Sequence, residues 1–174
     1  LAATLSEALG SSLGFEASLE VGATETIADT ALPEVAPAPY LVLGFSLTGT
    51  HAGTVAVVLP EEMALALADR TLGAEAPENP SGQLDEARGQ ALETLLTTLA
   101  PTAASHISEA SGETADLVVS DRDRFENGEQ LQAYLAPQAG EHGFLHSTVA
   151  LHVDGTRLGD AHILIPAAVL QDLP

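Results

Sequence analysis

A short motif occurs twice in this chain. Leu47-Thr48-Gly49-Thr50-His51-Ala52-Gly53 is answered by Val153-Asp154-Gly155-Thr156-Arg157-Leu158-Gly159, so Gly49, Thr50 and Gly53 recur 106 positions later. Pro60 recurs at the same spacing as Pro166, so the register holds across the following strand without a gap. Self-similarity of this kind restricts the fold to architectures made of two like halves. A second block, Leu5-Ser6-Glu7-Ala8-Leu9-Gly10, aligns with Ile107-Ser108-Glu109-Ala110-Ser111-Gly112 at a spacing of 102, a loop absorbing the difference. The repeat predicts one domain, 1–174, of half-repeats at about 1–73 and 83–174. The Pro-, Ala- and Glu-rich stretch at about 74–82 is the linker.

Each half reads in the same order. A helix ends near Gly10 or Gly112, where glycine supplies a left-handed cap. A strand follows, Glu16–Val21 and Asp116–Ser120, and after a variable loop a hairpin: Tyr40–Thr48 with Thr54–Leu59, and Phe144–Val153 with Ala161–Ile165. Val149, Leu151 and Val153 alternate with Ala150 and His152, a strand period. Gly49 and Gly155 suit the hairpin turns. Pro60-Glu61-Glu62 places proline and two acids at a helix start. Met63, Ala66 and Leu67 share one face of that helix and Leu65 and Leu72 the other; Pro166 opens a shorter copy, Ala167 to Leu170.

The central helix spans about Leu84 to Ser111, capped by Ser81 or Gly82, with Asp85 and Glu86 in its first turn. Leu84, Ala87, Ala91, Leu92, Leu95, Leu99, Ala103 and Ile107 form its apolar stripe. Pro101 predicts a bend. The first-half counterpart of 84–102 would precede Leu1. Asp121 to Gln130 reads as a polar loop with a turn at Asn127-Gly128. The fold class is α/β of the α+β kind, a shared sheet with long helices packed on it.

Hydrophobic residues make up 45% of the chain, with four Phe, two Tyr and no Trp, so the core is aliphatic. With no cysteine, disulfides, thiolate metal sites and cysteine nucleophiles are excluded. The basic-free stretch Leu1 to Gly14 is no secretory signal, and no apolar run reaches the roughly 20 residues of a membrane span. A soluble, cytoplasmic protein is expected. Twenty-five acids face five arginines and no lysine, a net charge of −20. That charge repels phosphate backbones and anionic lipid, so neither nucleic acid nor membrane is an expected partner.

The order helix, strand, hairpin, helix, repeated once, resembles the CheC, CheX, FliY and FliM group of chemotaxis phosphatases and flagellar-switch proteins. The matching stretches are Ala2 to Gly10, Leu47 to Gly53 through Leu59-Pro60, Ala91-Leu92 to Leu99-Ala100, and Gly159 through Ile165-Pro166. The resemblance implies a CheC-like fold, a role in taxis, and as partner a CheY-like response regulator or a sister switch subunit, with a homodimer as a further form. In its phosphatase members the central helix carries an acid or Ser, three residues, Glu, two residues, Asn. Residues at i, i+4 and i+7 share a helix face that can lie across a partner's phosphorylated aspartate. There Asn orients water for in-line attack and Glu anchors a partner lysine.

The resemblance places these three positions at Gln90, Thr94 and Thr97. Here Thr stands for both the carboxylate and the carboxamide, and a Thr hydroxyl cannot form the salt bridge. A register shifted by one gives Gly89, Glu93 and Leu96, which keeps the acid and loses the amide; the family's downstream proline is missing around Ser120. The implied function is therefore a binding module with a degenerate phosphatase motif, docking through Glu86, Gln90, Glu93, Thr94 and Thr97. An active phosphatase using Glu93 and a FliM-like structural subunit are the alternatives.

Elsewhere, His142 and His146 are four apart, and His152 and His162 share parity on paired strands. Zinc needs three or four converging ligands, so these read as structural or exposed histidines, with no metal and no cofactor. Asp121-Arg122-Asp123-Arg124 reads as a self-neutralising solvent loop rather than a clamp on a partner.

Overall fold

A computed structural model describes residues 2–49, 52–73 and 84–170. In chain order the elements are α1 (Ala2–Leu13), β1 (Ala17–Ile27), a 3-10 helix (Asp29–Glu34), β2 (Tyr40–Gly49), β3 (Gly53–Pro60) and α2 (Glu61–Thr71). Then follow α3 (Glu86–Ser111), β4 (Ala115–Phe125), α4 (Gly128–Ala139), β5 (Phe144–Val153), β6 (Thr156–Pro166) and α5 (Ala167–Leu170). The six strands form one antiparallel sheet in the order β1-β5-β6-β3-β2-β4.

That order reads the same backwards when β1, β2 and β3 are exchanged for β4, β5 and β6. The two hairpins sit side by side at the centre, joined where Ala56, Val57 and Val58 meet Leu164, Ile163 and His162. Each outer strand pairs with the hairpin of the other half, β1 with β5 and β4 with β2. The recurring glycines have a packing reason. A Cβ built on Gly53 would lie 2.3 Å from Val169 Cγ2, and one on Gly159 would lie 3.1 Å from Met63 Cβ. Met63 and Val169 begin the helices after Pro60 and Pro166, so each half's helix presses on the other half's strand at a residue without a side chain.

The helix caps follow local chemistry. Asp85 caps α3 by accepting a hydrogen bond from Arg88 N (2.9 Å), and Gly112 closes the helix at φ 73°. The other candidate caps, Ser81 and Gly82, lie outside the described residues, as does the linker stretch 74–82. Helix α1 does not stop at Gly10. It runs to Leu13, and Gly14, at φ 71°, is the left-handed residue that ends it. Gly10 serves a different purpose: a Cβ there would lie 2.9 Å from the carbonyl oxygen of Phe15, where the chain folds back. The structural counterpart of Gly112 is therefore Gly14, 98 positions earlier rather than 102, and β1 and β4 begin at that same spacing.

Strand β4 also departs from expectation. It continues through Phe125, so 121–125 is strand and not solvent loop. The alternation Asp121-Arg122-Asp123-Arg124 is a period of two that puts acids on one face and arginines on the other. Arg122 and Arg124 pair in register with Leu43 and Leu41 of the face that α1, α2 and α3 cover, while Asp121 and Asp123 pair with Gly44 and Val42 of the other. A register shift between Gly44 and Phe45 leaves Ser120 as the extra residue of a bulge. The stretch read as variable loop before β5 holds α4, capped by Asn127, whose side chain accepts from Gln130 N at 3.1 Å. Leu131, Leu135 and Ala139 are its buried stripe.

The sheet carries a core on each face. α1, α2 and α3 cover one, around Leu41, Leu43, Phe45, Met63, Leu92 and Leu95; α4 and the 3-10 helix cover the other, around Leu32, Tyr40, Val42, Leu131 and Phe144. α2 is buried on two sides, through Met63 and Leu67 and through Leu65. Leu72 lies past its end and is 55% exposed, so it does not contribute to the second side. On α3 the stripe holds except at Ala87, which is exposed, while Gly89 is buried. No helix of the described residues is long and apolar enough to cross a membrane.

Candidate docking face on the central helix

Helix α3 presents its apolar stripe to the sheet, and the 3.6-residue period turns Glu86, Gln90, Glu93, Thr94 and Thr97 to the other side. The structure brings these five together as the spacing predicts. Gln90, Thr94 and Thr97 are exposed, the Glu86 side chain is 84% exposed and that of Glu93 43%. Thr94 Oγ1 donates to Gln90 O at 2.9 Å, and Thr98 Oγ1 to Thr94 O at 2.9 Å. The Thr94 hydroxyl proton is thus committed to the helix backbone, leaving its oxygen to accept.

One flank of the face is fixed by Arg122, reaching over from edge strand β4. Its Nη2 donates to Glu86 Oε1 at 2.8 Å and its Nη1 lies 3.2 Å from Glu93 Oε2. The guanidinium rests on Gly89, where an added Cβ would be 3.0 Å from Arg122 Cζ. The absence of a side chain at 89 lets the arginine lie flat across one turn and hold both glutamates. Below it, Arg88 Nε donates to the buried Asp69 carboxylate of α2 at 2.7 Å, and its Nη1 lies 3.5 Å from Asp85. The hydrogen bond to Asp69 raises the Arg88 pKa and keeps its charge. Arg124 repeats the device one step along β4, donating to Glu61 Oε1 at 2.7 Å and pairing with Glu126. The arginines of β4 therefore clamp the chain's own helices.

The alternative register falls off this face. Gly89 is buried under Arg122, and Leu96 is half-buried among the core residues. Glu93 stays beside the face but turned to Arg122. What the sequence reading missed is Arg122, Arg88 and Asp69. Arg122 was detectable in principle from the strand parity of 121–124; its contacts, made 36 and 29 positions away, were not.

Two other polar clusters lie on the α4 side of the sheet. His146 and His162 are buried and stacked, with ring centroids 5.3 Å apart and His146 Nε2 3.0 Å from His162 Nδ1. Glu25 Oε1 lies 3.4 Å from His146 Nδ1. Burial, then the neighbouring His146, lowers the His162 pKa. The pairs noted in the sequence are not the pair that forms: His142 is exposed, and His152 pairs in register with Arg157. Among the described residues no three metal-ligating side chains converge. In the second cluster Tyr134 donates to Asp121 Oδ2 at 2.5 Å, beside Gly44 and the Ser120 bulge. Burial, and then Asp121, raises the Tyr134 pKa; burial alone pushes Tyr40 up to about 12.

A six-stranded antiparallel sheet with crossed halves, a long helix along one face and a polar strip on that helix define a known architecture. It is the fold of the CheC, CheX, FliY and FliM superfamily. FliY of Thermotoga maritima superposes with a TM-score of 0.83 at 16% identity, over 97% of this chain and 85% of that one. FliM of H. pylori, in its complex with FliG, gives 0.75 at 15% identity, over 98% and 91%. CheX of Borrelia burgdorferi, in complex with CheY, BeF3 and Mg, gives 0.56 at 15% identity, over 93% and 91%. No protein-family model matches the chain, and no curated protein matches it by sequence.

Proposed function

We propose that this is a chemotaxis or flagellar-switch binding module that docks a CheY-like response regulator or a switch subunit through Glu86, Gln90, Glu93, Thr94 and Thr97. The observation that carries the reading is the Arg122 clamp over Gly89. It fixes an exposed polar strip on α3 that the fold does not need for its core. The strip does not carry the groups of the phosphatase reaction at the positions where the family pattern has them, since its carboxamide is on Gln90. Neither Thr94 nor Thr97 supplies a carboxamide to orient water, and the nearest carboxylate, Glu93, already faces Arg122. The H. pylori FliM and B. burgdorferi CheX structures are complexes with FliG and with CheY, which supports partners of these kinds. A cytoplasmic location, one domain built of half-repeats at about 1–73 and 83–174, and a homodimer belong to the same proposal.

The test is to mix the protein with a phosphorylated response regulator, measure binding, and time phosphate loss. Binding is expected without acceleration, and Gln90→Arg with Thr97→Arg is expected to weaken it at least tenfold. Acceleration abolished by Thr97→Ala would overturn the non-catalytic reading; acceleration abolished by Glu93→Ala with binding intact would establish the active phosphatase. The higher similarity to FliY and FliM than to CheX favours a FliM-like structural subunit as the second reading. Concentration-dependent self-association in sedimentation experiments would support that reading.

A further inference from the structure

His146 of β5 and His162 of β6 lie on the α4 side of the sheet, 9% and 8% exposed. His146 sits opposite Glu25 of edge strand β1, and His162 opposite Thr148 of β5 and Val58 of β3. The ring planes are 18° apart, the centroids 5.3 Å apart, and His146 Nε2 lies 3.0 Å from His162 Nδ1. The centroid separation exceeds the nitrogen separation by two ring radii, so both nitrogens lie on the line joining the ring centres. At that spacing the gap holds a single hydrogen, one nitrogen donating and the other accepting. A charged imidazole is a donor at both of its nitrogens. Two charged rings would therefore set two N–H groups head to head in the gap and bring like charges into contact. On the outer side of His146, Glu25 Oε1 lies 3.4 Å from Nδ1. Asp160, two residues from His162 on β6, draws charge toward that ring against its burial. The buried side chains that α4, the 3-10 helix and β3 bring to this face, Leu131, Leu135, Ala139, Leu32 and Val58, carry no charge.

We propose that Glu25, His146 and His162 form a proton-operated latch across β1, β5 and β6, closed with none or one added proton and open with two. In the neutral pair the Glu25 carboxylate selects the tautomer with hydrogen on His146 Nδ1, so His146 Nε2 accepts from His162 Nδ1. The first added proton enters at the remaining outer nitrogen, His162 Nε2, and leaves the gap untouched. Shifting the shared hydrogen across the gap then places the charge on His146, beside Glu25. That charge strengthens the hold of β5 on β1, since a charged donor facing a carboxylate is roughly twice as strong as a neutral pair. A second proton finds no nitrogen outside the gap, so the rings must part to accept it. Strand β1 is the element that yields, because β5 is its single neighbour in the sheet. The latch lies on the opposite side of the sheet from α3 and does not depend on the proposed docking function.

Nitrogen-15 NMR of the histidine rings in the intact protein, from pH 8 to 4.5, counts the protons taken up. Amide exchange in β1, corrected for its intrinsic pH dependence, reports the opening, and exchange in β3 separates it from global unfolding. The first proton is expected to enter with β1 protected. The second is expected only together with an at least tenfold rise in β1 exchange that β3 does not share. His162→Gln keeps a hydrogen-bonding group beside His146 and cannot take the second proton. Its β1 exchange at pH 4.5 is expected to stay at least tenfold below that of the wild type. If that variant does not fold, Glu25→Gln, at a side chain 67% exposed, is expected to move the first step to lower pH. Uptake of both protons with β1 exchange unchanged, equal exchange in the wild type and a folded His162→Gln, or a first step unmoved in Glu25→Gln would each overturn the latch.

Discussion

At Gly44 and Gly89 a single added methyl meets different neighbours. A Cβ on Gly44 would lie 1.9 Å from Asp121 Oδ1 and 2.7 Å from Tyr134 OH, and the short Asp121 side chain has little room to retreat. Gly44→Ala is expected to break the Asp121–Tyr134 hydrogen bond and lower stability by about 1–3 kcal/mol. At Gly89 the neighbour is the tip of a long arginine, which can yield a few tenths of an ångström. There the helix-propensity gain of alanine prevails, and Gly89→Ala is expected to raise stability by about 0.5 kcal/mol. Urea denaturation of the two variants checks both signs.

Buried His162 makes stability depend on pH. The folded-state pKa of His162 lies below the ordinary histidine value of 6.5, because burial and His146 disfavour the charge against the pull of Asp160. The unfolded chain then binds a proton more readily than the folded one. The contribution is complete above pH 6.5 and is lost as the pH falls below it, with Asp160 the acid that opposes the loss. Unfolding midpoints measured from pH 7.5 to 5 are expected to fall more for the wild type than for His162→Gln. An equal fall in both would remove His162 from the account.

Among the elements, α3 serves two surfaces at once. Leu92 is fully buried in the helix-side core, and Leu92→Ala is expected to cost about 2–5 kcal/mol in chemical denaturation. The strip Glu86, Gln90, Glu93, Thr94 and Thr97 was legible because it is the complement of a long apolar stripe, and a helix of this length repeats that signal many times. The β2–β3 and β5–β6 hairpins were legible from glycine turns and alternating Val, Leu and Ile. α4 was not, since three buried positions and an internal Pro137 give too weak a period. β4 past Ser120 was not legible either. An edge strand with salt-bridged arginines on one face and acids on the other has no hydrophobic alternation to read. Its order comes from partners on α2 and α3 that are distant in sequence.

The whole molecule carries −20 charges, with every arginine ion-paired to a carboxylate of its own chain. The surplus acids repel one another across the surface, and screening shortens that repulsion from about 10 Å at 0.1 M salt to about 3 Å at 1 M. Because 25 acids face only five arginines, the unfolding midpoint is expected to rise on going from 0.1 to 1 M KCl. A fall would mean that the arginine bridges outweigh the repulsion.

The crossed arrangement of the outer strands has a consequence for autonomy. Since β1 completes its hydrogen bonding on β5, and β4 on β2, neither half owns a finished sheet. Severing the backbone between residues 73 and 84 would leave two pieces knitted together like clasped hands, each the template on which the other acquires its shape.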